Sequence, residues 1–331
     1  MANITNEAPQ IKNKREQLLS SAVYLGALVL ASALLVVMFG ALKFFNEHRF
    51  APTNMGVAGA LAQRHPYILF IGSSHTRRTY QIRMVEEGLH QPAFLVAYDG
   101  IDLISILQIL HLLCSNPASC PHLLVIEAYS AALSKTPDLE DPRYFFDAPP
   151  SLKQQIIAEY LKDHRSLDSK LDIFDLIVNR GNETLLTYPI NRRILASLSY
   201  HGGVSASVAA PGLSQSAFDR LHADEVPDKP NPEQLEAAVE IIDFARSNNI
   251  HFVFIESPLP GPVSRDIHIQ HLKQAFRNLA DSKQAYYFNG DIGFPIDDPS
   301  MFADNNHLST LGRIAFTHQI IPILQKEFDL H

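Results

Sequence analysis

Tyr67-Ile68-Leu69-Phe70-Ile71-Gly72-Ser73-Ser74-His75 is the stretch on which the fold turns. Five consecutive apolar positions, rich in β-branched and aromatic side chains, run straight into Gly-Ser-Ser. That is the signature of a strand buried on both faces that ends in a tight turn. A strand apolar at every position, not at alternate ones, belongs in a parallel sheet covered by helices on both sides. Four further runs of this kind stand at 93–97, 122–126, 251–255 and 285–288. Helical periodicity fills the intervals, around 76–89, 101–113, 232–248, 266–279 and 308–328. The helix at 232 is well punctuated, with Asn231 as cap, Pro232 at the first helical position and Glu233 in the first turn. The alternation predicts an α/β fold with a flavodoxin-like, doubly wound, five-stranded parallel sheet. Between 131 and 230 the rhythm lapses, broken by Pro149-Pro150, Gly181, Gly202-Gly203 and Pro211-Gly212. This reads as a long, partly helical insertion after the third strand, placed to shape or cover a site.

With 46% hydrophobic and 19% charged residues among 331, the composition is that of a globular chain and excludes disordered, collagen-like and coiled-coil classes. A net charge of -8, from 27 Lys+Arg against 35 Asp+Glu, excludes a protein that binds nucleic acid through its backbone. Residues 18–42 carry no charge and are long enough to span a bilayer. The expected organisation is therefore a tail over 1–17, a transmembrane helix over 18–42, a linker over 43–65 and an α/β domain over 66–331. A cleaved signal peptide is the competing reading, but its apolar region would be shorter and begin earlier. Lys12, Lys14 and Arg15 precede the segment while Lys43 and Arg49 follow it, a bias toward a cytoplasmic N-terminus. Cys114 and Cys120 bracket a Pro-containing loop and can close a disulfide in an oxidising compartment; two incidental buried thiols fit the same spacing. Together with the flanking charges, the pair favours a body on the periplasmic or extracellular side of the cytoplasmic membrane. The 15 His show no metal-type spacing, and neither a metal nor another cofactor is expected.

In open parallel sheets, ligands bind at the carboxyl ends of the strands. The first strand delivers Ser73 and Ser74 to that edge at a strand-to-helix turn, where backbone N–H groups favour a developing oxyanion. A pair of N-capping serines is the other reading of the same residues. His75 is read as structural. Late in the chain, after the fifth strand, stands Asp304-Asn305-Asn306-His307. A carboxylate three positions before an imidazole can orient the ring and leave its far nitrogen free to take a serine proton. An Asp/Asn turn with an exposed His is the alternative.

This combination resembles the SGNH, or GDSL-like, hydrolase superfamily. Gly72-Ser73-Ser74 is similar to its first block, with Ser74 as the nucleophile, and Asp304 with His307 is similar to its last. The Gly-Ser-Ser variant, the N-terminal apolar segment and the Asp-x-x-His-Leu ending most resemble the membrane-tethered branch that includes the D-alanyl transfer protein of the teichoic-acid pathway and the alginate O-acetylation proteins. The resemblance implies a backbone oxyanion donor at Gly100, after the second strand, where a plain turn glycine is the competing reading. In the third block many members carry Gly-x-Asn-Asp, but this chain has Glu127-Ala128-Tyr129-Ser130. Tyr129 or Ser130 would then supply the missing donor, with Glu127 a buried or substrate-facing carboxylate. Glu256-Ser257-Pro258, after the fourth strand, points to the same rim, with a plain loop-forming segment as the competing reading.

The expected activity is a serine esterase or O-acyltransferase working through an acyl-Ser74 ester on cell-envelope or extracellular polysaccharide, with Asp304 and His307 completing the triad. The resemblance implies as partners an envelope polysaccharide or lipid-linked glycan and a membrane-bound O-acyltransferase. The alternative is a non-catalytic scaffold or glycan-binding protein that keeps the fold without the chemistry, favoured by the missing Asn.

Overall fold

The five apolar runs form a single parallel sheet. Strands β1 (Ile68–Gly72), β2 (Ala93–Ala97), β3 (Leu123–Glu127), β4 (His251–Glu256) and β5 (Tyr286–Asn289) lie in the order β2-β1-β3-β4-β5. The computed structural model describes residues 21, 23–35, 37–38, 56–61, 67–129, 133, 154, 210–223 and 229–328. They belong to two units, Met1–Ala51 and Pro52–His331.

Successive strand side chains point to opposite faces, so each run feeds two cores. Leu69, Ile71, Phe94, Val96, Leu124, Ile126 and Phe254 enter one layer, while Ile68, Phe70, Leu95, Leu123, Val125, Val253 and Ile255 enter the other. The first layer is closed by α1 (Gly56–Leu61), α4 (Leu103–Cys114), α6 (Pro232–Ser247) and α8 (Ile267–Ser282), which follows the short α7 (Gly261–Ser264), through residues such as Val57, Ile109, Ile241 and Phe276. The second is closed by α3 (Ile82–Leu89) and α9 (Thr310–Phe328), through Val85, Leu89, Phe316 and Ile320. Helix starts are set by side-chain caps: Asp102 accepts from Ser105 N at 2.7 Å and Asn231 from Glu233 N at 2.9 Å. Helix α1 lies inside the stretch expected to be a linker and buries Val57 and Ala60.

The helix expected over 76–89 is two helices, α2 (Ser74–Thr79) and α3, separated by extended Tyr80 (φ -108°, ψ 139°). No Gly or Pro marks the break. Tyr80 is fully buried between Phe70 and Phe316, and Gln81 N–H donates to Thr317 Oγ1 at 3.0 Å, so tertiary packing overrides local propensity. Cys114 and Cys120 are joined in a disulfide around the short 3₁₀ turn Pro117–Ser119, which Tyr67 holds through its hydroxyl to Ser119 O at 2.8 Å.

The transmembrane helix expected over 18–42 is corrected. Among the described residues, no helix is long and apolar enough to cross a membrane. The single-pass topology, with its inside N-terminus and outside body, has no spanning helix to rest on and is withdrawn with it. The expected insertion at 131–230 lies outside the described residues except for 133, 154, 210–223 and 229–230. Its described part includes α5 (Gln215–Phe218); Phe218 packs 6.1 Å from Phe302, and Leu213 N donates to Pro299 O at 3.0 Å. This braces the segment that leads into Asp304 and His307.

Candidate active site

At the end of β1 the backbone turns within two residues. Tyr98 N donates to Gly72 O at 3.1 Å, which brings the ends of β1 and β2 level. Ser73 caps α2, accepting His75 N–H on its Oγ at 3.2 Å, so one reading of the serine pair holds for Ser73. Ser74 is the first helical residue and remains partly exposed. Gly72 cannot carry a side chain, because a Cβ there would collide with Thr76 Oγ1 and Glu127.

The second half of the site is a short loop tied at its base. Phe302 and Leu308, both buried, form an isolated antiparallel bridge, and Ala303 N donates to His307 O at 2.9 Å. The apolar pair anchors the loop and leaves Asp304 and His307 on its rim. Asp304 Oδ1 accepts the backbone N–H of Asn306 at 3.0 Å and of His307 at 2.8 Å, an Asx turn that fixes the carboxylate. Both carboxylate oxygens lie 2.9 Å from His307 Nδ1, and His307 Nε2 lies 3.0 Å from Ser74 Oγ. An imidazole whose Nδ1 faces a carboxylate carries its proton there and presents a bare Nε2 to the hydroxyl. Partial burial pushes the Asp304 carboxyl up, but the His307 hydrogen bond and charge, with the two backbone donors, hold it below the ordinary carboxylate value. Arg78 stands 3.5 Å from its Oδ2.

His75 is buried and stacked on Tyr129 with ring centroids 3.7 Å apart, and it lies 4.9 Å from the His307 ring. Burial first, then His307 and Arg78, outweigh Asp304 and hold His75 well below the usual imidazole value, so it is a neutral wall of the site. Tyr129 thus meets His75, and Ser130 lies outside the described residues. Gly100 sits in the turn after β2 with φ +65°, a conformation that favours glycine. Its neighbour Asp99 pairs with Arg77 of α2, tying this turn to the helix that begins at Ser74.

Glu127 is buried at the end of β3. It accepts the Ser73 N–H, the Ser73 hydroxyl at 3.1 Å and the Thr76 hydroxyl at 2.8 Å. Burial raises its pKa, against the pull of those donors. Glu256, at the end of β4, belongs to a different cluster: Lys273 Nζ lies 2.7 Å from Oε1, Tyr287 donates its hydroxyl to Oε2, and Lys273 also pairs with Asp291. Ser257 Oγ lies 2.8 Å from Thr79 Oγ1 at the end of α2. Sequence reading did not foresee the Arg77–Asp99 tie, the place of Arg78 or the His75–Tyr129 stack; none carries a local signal. Among the described residues, no group of three His, Cys, Asp or Glu is arranged to hold a metal ion.

No protein-family model and no curated protein matches the chain. Among solved structures, a family two carbohydrate esterase from Clostridium thermocellum is similar at 10% identity and a TM-score of 0.42, over 81% of this chain and 66% of that one. The chain thus spans just under two thirds of that esterase. A G-D-S-L family lipolytic protein from Desulfitobacterium hafniense is similar at 8% identity and a TM-score of 0.39, over 78% of this chain and 100% of that one. A lipase/acylhydrolase from Enterococcus faecalis gives 9% and 0.39, over 80% and 97%. Likenesses this distant assign neither family nor activity. Strand order and the Ser74–His307 hydrogen bond, observed directly, agree with the broad SGNH/GDSL-like arrangement that the motifs imply.

Proposed function

We propose that this chain is a serine ester hydrolase or O-acyltransferase that works through an acyl-Ser74 intermediate. The observation that carries the reading is the unbroken run Asp304–His307–Ser74, at 2.9 Å and 3.0 Å. His307 Nε2 takes the Ser74 proton as Oγ bonds to the carbonyl carbon of an ester; the carbonyl electrons move onto oxygen, and the N–H groups of Ser74 and Gly100 are the proposed donors to it. When the carbonyl re-forms, the C–O bond to the leaving alcohol breaks, and His307 returns its proton to that alcohol. The imidazolium between these steps is stabilised by Asp304, whose lowered pKa keeps it anionic near neutrality. The second half repeats the sequence with water or another hydroxyl as nucleophile.

The finer reading, that the acyl ester or its acceptor belongs to a polysaccharide, follows the resemblance of Gly72-Ser73-Ser74 and Asp304-x-x-His307 to the glycan O-acetylation branch. It is tested by supplying an activated acetyl ester to the purified chain with and without acetyl-accepting oligosaccharides. Transfer shows as acetylated oligosaccharide by mass spectrometry, and ester consumption without it identifies a hydrolase. Ester turnover equal in wild type and Ser74→Ala would overturn the acyl-serine reading.

A further inference from the structure

Ser74 is flanked on both sides by residues bound to one carboxylate. Glu127 is 5% exposed, and its carboxylate is held by neutral donors from one turn: the Ser73 N–H, the Ser73 hydroxyl and the Thr76 hydroxyl, with the Thr76 N–H adding to them. Among the described residues, no cation forms an ion pair with it. A buried carboxylate is costly unless hydrogen bonds satisfy it, and here those bonds exist only when residues 73–76 adopt this turn. The contact is close enough that Gly72 has no room for a Cβ. Glu127 therefore holds a strand-to-helix turn already capped by Ser73 to a single geometry.

We propose that Glu127 is a positioning residue for Ser74: from the end of β3 it fixes Ser73 and Thr76, and so aims Ser74 Oγ at His307 and the Ser74 N–H at the substrate carbonyl. The proposal rests on the acyl-serine reading. It explains how β3, which lacks the Gly-x-Asn-Asp block, still serves the site. Small misplacement of a nucleophile is expensive in rate, about 10²-fold for 1 Å in unfavourable cases. The role is geometric, and this sets the order of the variants. Glu127→Gln can still accept from Ser73 N–H and Thr76 on its oxygen, and its amide can donate to Ser73 Oγ. Glu127→Ala can do none of these.

The test is the rate of Ser74 phosphonylation by a fluorophosphonate, in which Oγ–P forms, fluoride leaves and His307 takes the proton, followed by intact mass. Wild type is expected to label to one adduct per chain. Glu127→Ala should reach the same stoichiometry at least about tenfold more slowly, through the maximal rate constant and with half-saturation changed less than about twofold, whereas Glu127→Gln stays within about threefold of wild type. A fold defect would instead lower the fraction labelled. Should Glu127→Ala fail to fold, Thr76→Val removes one donor and should slow labelling, with Thr76→Ser restoring it. Wild-type rates in Glu127→Ala or Thr76→Val, or equal slowing in Glu127→Ala and Glu127→Gln, overturn the positioning role alone. A wild type that takes no adduct at Ser74 overturns the acyl-serine reading beneath it.

Discussion

Replacing Asp304 by Asn tests the orientation of the imidazole with almost no change of shape. In the wild type Oδ1 accepts two backbone N–H groups, from Asn306 and His307. The amide must therefore keep its oxygen there and turn its NH2 into the Oδ2 position, where it faces His307 Nδ1, at 2.9 Å from the present oxygen, and Arg78, at 3.5 Å. The NH2 then opposes an Nδ1–H while the retained oxygen, also 2.9 Å from Nδ1, still accepts it, so the preference for that tautomer weakens and part of the population carries its proton on Nε2, pointing at the hydroxyl it should deprotonate. The charge that stabilises the imidazolium is also gone. In a fully buried triad such a change costs about 10⁴ in kcat. The Asp304 side chain is 41% exposed, so water screens part of the effect. The expected loss is about 10²–10³-fold in kcat/KM, or ~3–4 kcal/mol of transition-state stabilisation. Initial rates on p-nitrophenyl acetate for wild type, Asp304→Asn and Ser74→Ala, with circular dichroism to check the fold, give the measurement. A folded Asp304→Asn protein within threefold of wild type would refute the orientation mechanism.

Two further predictions concern stability. Cys114→Ser/Cys120→Ser opens a loop closed across a separation of 6 residues; chain-entropy arithmetic gives a loss of about 2 kcal/mol, read as a lower urea midpoint under oxidising conditions and unchanged under reducing ones. Glu256 is pushed up to about 7 by burial, with Lys273 opposing and Asp291 adding to the rise. Because its folded pKa lies above the ordinary value of 4.5, its contribution is full below that value and is lost as pH rises through about 7. The wild type should accordingly lose up to about 1.4 kcal/mol per pH unit across this window from this group, and Glu256→Gln should flatten the slope in urea titrations. An identical slope in the variant would show that another group sets it.

What the sequence made legible is what short-range physics encodes. Parallel strands buried on both faces must be apolar throughout, so 67–71 and 93–97 announced themselves, and 251–255 did so through its buried end Val253–Ile255, with ends shifted by a residue at most. Asp304-x-x-His307 was legible because an Asx turn spans three residues and carries its own geometry. Glu127 could be named but not placed, since its partners Ser73 and Thr76 lie more than fifty positions away. The break at Tyr80 was invisible for the same reason: it is caused by Phe70 and Phe316, across the core. Hydropathy misled over 18–42, where a run of apolar residues was equated with a spanning helix that the described residues do not contain.

The central claim is that Ser74 Oγ, activated by His307, is the nucleophile. Its most direct measurement is peptide mapping after brief exposure of the folded chain to a fluorophosphonate. The account predicts a single adduct on Ser74, absent in Ser74→Ala and slowed by at least about 10²-fold in His307→Ala, because a serine hydroxyl without its base is a weak nucleophile. An unmodified Ser74 in folded wild type, or an adduct that forms as fast in His307→Ala, would contradict it.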